Sequence, residues 1–422
     1  MFSDVCKIYR REEKYLVLNP LVPSWIVTNI NGVLLLKLYS EDKTFIDIAT
    51  EYGKYAPNIP SVKIIKFLEK AEAERLFEPP VAYFYKPREL KEIFLNITDN
   101  CNLKCKFCIV AQRIEDKKYM TLDDYKRMLD EAAEINPKMD IIITGGEALT
   151  SPLTVPVAKY VHKIGLNCNT LMTNGTLINE SNVDELVSLF NKFSVSLDGS
   201  CAEVHDYYRG KGNYDKAVRG IDLLISRGAD VAIAMVVTKK NMHDVAKATE
   251  KWGDRFYVQP LFPFGNDKVY EELRLTGRDY YETLSKIPRF VPYVGLLPTV
   301  KKRCESKILP KCGMADGMLS ISRSGNVYPC NNLHNQKYKL GSIFEQSLSE
   351  IYNSPVTDKI KYHTVNEVDS CRKCDLKLIC GGSCQAHNFC ENGDLDIGNN
   401  FCEYDKISII NAIFNSAQFQ DL

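Results

Sequence analysis

The stretch "DNCNLKCKFC", residues 99–108, sets three cysteines in a C-x3-C-x2-C spacing shortly after the apolar run "EIFLN". A disulfide pairs thiols in twos, and a structural zinc site closes on four ligands. Three thiols in one loop leave a metal position for a ligand that is not protein. The pattern therefore marks the region around residue 100 as the place to start.

Outward from that loop, strand and helix patterns alternate. The runs "EIFLNI", "MDIIIT", "LNCNTLM", "KFSVSL", "VAIAMVV" and "RFYVQPLF" read as strands, with helical segments between them. In "TLDDYKRMLDEAAEI", Thr121 and Asp124 form a capping box, and Leu122, Tyr125, Met128, Leu129 and Ala132 share one face. Alternating βα units of this length imply an α/β fold, a parallel sheet or a partial (β/α)6 TIM-like barrel, over residues 91–300. "CNLKCKFC", "GGE", "TNG" and "SLDG" each follow a strand. The carboxyl ends of parallel strands form the reaction face of such folds, so the four motifs converge on one rim.

The chain has 422 residues, enough for several domains. Its 54 basic and 54 acidic side chains balance, which argues against general attraction to nucleic acid or anionic membranes. The start, "MFSDVCKIYRREEKY", has no apolar signal-peptide core, and no apolar run approaches the ~18 residues of a membrane span. The expectation is a cytoplasmic protein without nucleic-acid or membrane partners. Fifteen cysteines, an odd number mostly at short spacings, then point to metal-bound thiolates in a reducing compartment. Cys6, Cys168, Cys201 and Cys390 stand apart as isolated thiols.

The C-x3-C-x2-C loop behind the first strand of a six-unit βα series resembles the radical S-adenosylmethionine (SAM) superfamily. The resemblance implies that Cys101, Cys105 and Cys108 ligate a [4Fe-4S] cluster whose fourth iron binds SAM. One-electron cleavage of SAM would then give a 5′-deoxyadenosyl radical that takes a hydrogen atom from substrate. Phe107 matches the family's aromatic beside the adenine, with loop packing as its plain alternative. Gly145, Gly146 and Glu147 resemble the GGE motif that meets the SAM amino group, with Ala148 where the family has proline. Thr173, Asn174 and Gly175 fit the turn near methionine and ribose, and Ser196 and Asp198 the ribose-facing strand end. Arg209 resembles a SAM carboxylate partner, against a surface ion pair, and Gln259 and Pro260 would flank the adenosine.

Residues 301–422 read as a loop-rich Fe-S domain. C371-x2-C374-x5-C380-x3-C384, then Cys402, with Gly325 and Cys330 in "GNVYPC", resembles the SPASM extension of some radical SAM enzymes. The resemblance implies two auxiliary [4Fe-4S] clusters, making three clusters in all. Cys304, Cys312, Cys330 and Cys384 would hold the first auxiliary cluster, and Cys371, Cys374, Cys380 and Cys402 the second. Zinc ribbons are the competing reading of C-x2-C, and a multi-zinc regulatory protein is the competing class.

Residues 1–85 read as a small α+β, winged-helix-like unit, followed by the proline-marked linker "EPPVAYFYKPREL". Its layout resembles the PqqD-like peptide-recognition domain of peptide-modifying radical SAM enzymes. That implies capture of a precursor's leader by strand addition. A winged-helix DNA binder is the rival, but Lys63, Lys66 and Lys70 mix with Glu69, Glu72 and Glu74, so no basic face emerges. Together these resemblances imply an anaerobic maturase of ribosomal (RiPP) peptides, forming a thioether or carbon–carbon cross-link with electrons from a flavodoxin or ferredoxin. Formylglycine formation in a sulfatase and cofactor biogenesis from a peptide or amino acid are the alternative activities. Asn331 counts against the first, because a carboxamide cannot replace that family's proton-accepting aspartate.

Overall fold

A computed structural model describes residues 5–39, 42–110, 118–263, 267–287, 290 and 297–422. The first unit has strands β1 (Lys7–Arg11), β2 (Lys14–Asn19) and β3 (Ser24–Thr28) in antiparallel order, then helices Ile30–Lys37, Phe45–Gly53 and Ser61–Ala73. β3 is buried along all five residues. Its residues alternate between two cores. Ile26 joins the unit's own helices, whereas Trp25 and Val27 pack with Ile409, Ile413 and Phe414 of the helix Cys402–Ser416. Each fully buried aliphatic side chain contributes about 1.5–3 kcal/mol, so this unit is bonded to the far end of the chain.

The main sheet begins with six parallel strands: β4 (Glu92–Thr98), β5 (Asp140–Gly145), β6 (Asn167–Thr173), β7 (Lys192–Ser196), β8 (Asp230–Val237) and β9 (Phe256–Pro260). All six match the strands expected from the sequence. Period-two burial explains them: Ile93 and Leu95 of β4 face the helices, and Phe94 faces a lumen. The helix Leu122–Ile135 forms as expected, with a reciprocal Thr121–Asp124 capping box and Tyr125, Met128, Leu129 and Ala132 buried.

The sheet does not stop near residue 300. β10 (Met318–Ile321) pairs in parallel with β4, and β11 (Asn326–Tyr328) and β12 (Gly341–Ser342) continue antiparallel. The described strand order is β12-β11-β10-β4-β5-β6-β7-β8-β9. The cysteine-rich end also carries short helices, among them Gln385–Asn392 and the long Cys402–Ser416. Finally β13 (Phe419–Gln420) runs parallel to β3, closing the first unit's sheet with the chain's last residues. Among the described residues no helix is long and apolar enough to cross a membrane.

The linker is pinned as well. Arg88 lies 3.3 Å from the fully buried Asp316, and its backbone N–H donates to the same carboxylate at 2.7 Å.

Candidate functional site

The cysteine loop follows β4 at the carboxyl rim of the sheet. Cys101 is exposed, and Cys105 and Cys108 are half-buried. The loop is supported from two sides. Lys106 N–H donates to the Tyr208 carbonyl at 3.0 Å, and Asp99 is ion-paired with Arg323 in the β10–β11 turn. Arg323 also lies over the Tyr119 ring, 3.7 Å from its centroid. Neither Asp99 nor Arg323 was singled out from the sequence. Asp99 lies just ahead of the motif, but its partner is 224 positions away and carries no local signal.

The GGE glycines have a role that motif reading assigns to the ligand. Gly146 N–H donates to the Thr98 carbonyl at 2.7 Å, and Glu147 N–H donates to Asn100 at 2.9 Å. A Cβ on Gly146 would overlap the carbonyl oxygens of Asn100 and Asp99. Gly145 adopts φ +141°, which side chains disfavour. The glycines let the β5 loop lie flat on the backbone leading to Cys101. Gly146→Ala should therefore shift the cysteine loop and lower iron incorporation; iron quantitation after anaerobic reconstitution checks this.

Glu147 is only 1% exposed. Its oxygens accept from Thr173 Oγ1 at 2.7 Å, Asn174 N–H at 2.7 Å and Leu149 N–H at 3.2 Å. Burial pushes its pKa up, and these hydrogen bonds pull it back. Asn174 reaches on to Asn102 at 2.9 Å and sits 3.9 Å from the Cys101 sulfur. Glu147, Thr173 and Asn174 thus come together beside Cys101.

Asp198 and Arg209 meet in a buried ion pair, Asp198 at 0% exposure. The plain alternative for Arg209, a surface ion pair, is therefore corrected to a buried one. Asp198 also accepts from Val236 N–H at 2.9 Å. Burial pushes the Cys105 thiol up to about 11, and the nearby Arg209 cation opposes that shift. Phe107 packs on Tyr208, ring centroids 5.2 Å apart. Ser196 is half-buried at the end of β7, and Gln259 is exposed on β9.

His205 lies beneath this pair, 1% exposed, its Nδ1 accepting from Asp198 N–H at 3.1 Å. Burial lowers its pKa to about 4, with Arg209 adding to the shift. The unfolded chain then binds the proton more readily. His205 contributes its full stabilisation above pH 6.5, and that contribution is lost as pH falls through about 4. Denaturation midpoints should drop over this window, and less so in His205→Gln.

Below the rim, the lumen is a cavity of about 910 Å³ that includes Phe94, Met172 and Tyr257 in its lining. Further along β4, Asn96 Nδ2 donates to Ser320 Oγ at 3.0 Å and to Asn331 Oδ1 at 3.1 Å. His334 Nε2 lies 2.8 Å from Ser320 Oγ. Asn96, Ser320 and His334 have no motif of their own, and β10 gathers them through a long-range strand pairing.

The remaining cysteines fall into two groups. Cys371, Cys374, Cys380 and Cys402 line a single small cavity, the set expected for the second auxiliary site. Burial, then Cys312, Cys384 and Cys390, push the Cys330 thiol well above its ordinary value. Cys312, Cys384 and Cys390 thus lie near enough to Cys330 to act on it electrostatically, Cys390 included although its spacing reads as isolated. Cys304 sits on the helix Leu297–Glu305, and its side chain lies outside the described residues. Among the described residues no three His, Cys, Asp or Glu side chains are grouped so as to hold a metal ion.

A parallel barrel-like sheet with a three-thiol loop at its carboxyl rim defines a class, and the family models match it. The radical SAM superfamily model matches residues 95–251, and the SPASM iron-sulfur cluster-binding domain model matches residues 312–375. The chain is 30% identical over 302 residues to the antilisterial bacteriocin subtilosin biosynthesis protein AlbA of Bacillus subtilis, covering 68% of this chain. That match spans 65% of AlbA's length, just under two thirds. It is 29% identical over 339 residues to the AdoMet-dependent heme synthase of Methanosarcina barkeri, covering 73% of this chain and 95% of that one. Among solved structures, Streptococcus suis SuiB bound to S-adenosylmethionine aligns with TM-score 0.59 at 17% identity, over 94% of this chain and 98% of that one. At that identity the likeness is one of fold.

Proposed function

We propose that this chain is a radical SAM/SPASM maturase that oxidatively cross-links a ribosomally made precursor peptide. The observation that carries the reading is the three-thiol loop, held at the rim by Asp99–Arg323 and by the GGE backbone. The thiol sets fit the implied groups: Cys101, Cys105 and Cys108 would hold the SAM-binding cluster, and the four thiols around one cavity an auxiliary cluster. When bound, a reduced cluster with SAM supplies a hydrogen-abstracting 5′-deoxyadenosyl radical. The chain's own residues orient and shield. Glu147 and Asn174 present acceptors beside the triad, Arg209 would face the SAM carboxylate, Ser196, Asp198 and Gln259 would mark the nucleoside side, and Phe107 with Tyr208 forms an apolar wall.

The first unit would capture the leader by strand addition, and a flavodoxin or ferredoxin would supply electrons. The likeness to AlbA supports a peptide substrate. The likeness to a heme synthase favours a second reading, a non-peptide substrate. Asn331 Oδ1 accepts a hydrogen bond from Asn96 and offers no base, which argues against formylglycine formation.

The test is anaerobic. Purified, reconstituted protein should be brown and release 5′-deoxyadenosine from SAM and dithionite. With a short cysteine-containing precursor peptide, a mass loss of two hydrogens marks the cross-link. A colourless, zinc-loaded protein ends the reading; turnover of a porphyrin with no peptide product moves it to the second.

A further inference from the structure

We infer that residues 418–422 are an exchangeable strand, holding the outer edge of β3 until an extended peptide takes its place. The inference rests on reading the first unit as the peptide-capturing domain. β3 pairs with β2 along all five of its residues, but with β13 only through Phe419–Val27 and Gln420–Thr28. The chain's own end therefore occupies the edge where strand addition would occur.

The docked segment shows what that edge recognises. Thr28 Oγ1 donates to the Gln420 carbonyl at 2.7 Å. Asn29 Nδ2 donates to Asp421 Oδ1 at 2.7 Å and to the Leu422 carbonyl at 2.9 Å. The Leu422 side chain is 4% exposed and enters the core with Ile26, Val33 and Phe67. These are one buried apolar anchor, one acidic side chain before it, and main-chain carbonyls that accept from Thr28 and Asn29 side chains.

The rest of the segment is held weakly. Phe419 is 38% exposed, and the Asp421 side chain, 70% exposed, is 3.7 Å from Lys63. Beside it a groove of about 410 Å³ is lined by Trp25, Ile26, Lys70, Leu297 and Gln418. The edge region thus has space for a longer extended segment than the two-residue strand seated there. A short, parallel, partly exposed strand opens at low cost compared with the five-residue ladder behind it. The occupant that fits is an extended peptide with an acidic residue followed by leucine, its preceding residues running along the groove.

The probe is a fluorescein-labelled synthetic peptide of sequence SAQFQDL, residues 416–422, presented in trans to the full chain and to a chain truncated after Ala417. The truncated protein should bind it at least about tenfold more tightly than the intact one. Of the Val27 and Thr28 amides, the one that faces β13 should exchange faster after truncation and slow again with peptide, and the one that faces β2 should not. Leu422→Ala, which keeps the strand, should shift affinity the same way by less, and serves if truncation lowers folding yield. Replacing the leucine of the probe by alanine should weaken binding. Equal affinity for intact and truncated chains, or no binding to a folded truncated chain, overturns the inference. 5′-Deoxyadenosine release, which truncation should leave unchanged, tests the enzyme reading separately. A truncated protein that makes it but binds no peptide removes only the exchangeable strand.

Discussion

Cys105→Ala should bring 5′-deoxyadenosine release down to the enzyme-free background and lower the iron content by about four atoms per chain. The thiol is half-buried beside Arg209, and its pKa of about 11 comes from burial first. As a free thiol it would be protonated and inert at neutral pH. Its chemistry depends on metal replacing that proton. Alanine removes one sulfur from a loop whose path is set by Tyr208, Asn100 and Arg323, so the fold should survive. Thermal midpoints of the apo-proteins check that point. Release that persists in the variant would place SAM cleavage elsewhere.

Arg209→Ala should cost about 3–5 kcal/mol of stability, because it leaves the fully buried Asp198 carboxylate without its cation. The Val236 N–H donor remains, but one neutral hydrogen bond does not compensate a buried charge. For a barrel of this size the apparent midpoint should fall by roughly 10 °C. Arg209→Lys should recover part of the loss, since charge returns without the planar fork. A near-silent Arg209→Ala would mean that water reaches Asp198, and the pair would then be a surface one.

The six strands were legible because each is five to eight residues long and alternates between core and lumen. The motifs were legible because their chemistry is local: three thiols in eight residues, or two glycines where backbones touch. The role of those glycines was not, because it lies in the backbone of another loop, at Thr98 and Asn100. Arg209 was picked out by its motif, yet its burial and its pairing with Asp198 follow from where β7, β8 and the helix Ala202–Arg209 meet.

The six parallel strands, the motifs that follow them and the local cysteine clusters were legible in the sequence, since period-two burial and ligand spacing act over a few residues. The division of the cysteines into two auxiliary sets came instead from the family resemblance. Tertiary structure decided the rest. β10 to β13 are two to four residues long, too short for any periodicity. β10 and β13 exist because β4 and β3, hundreds of positions away, supply their hydrogen bonds, and β11 and β12 build on β10. Long-range pairing likewise brings Ser320 and His334 to Asn96, Arg323 to Asp99, and residues 419–420 to the edge of β3. Buried charge and open strand edges must find partners wherever the fold provides them, and spacing along a chain does not reveal which ones it will provide.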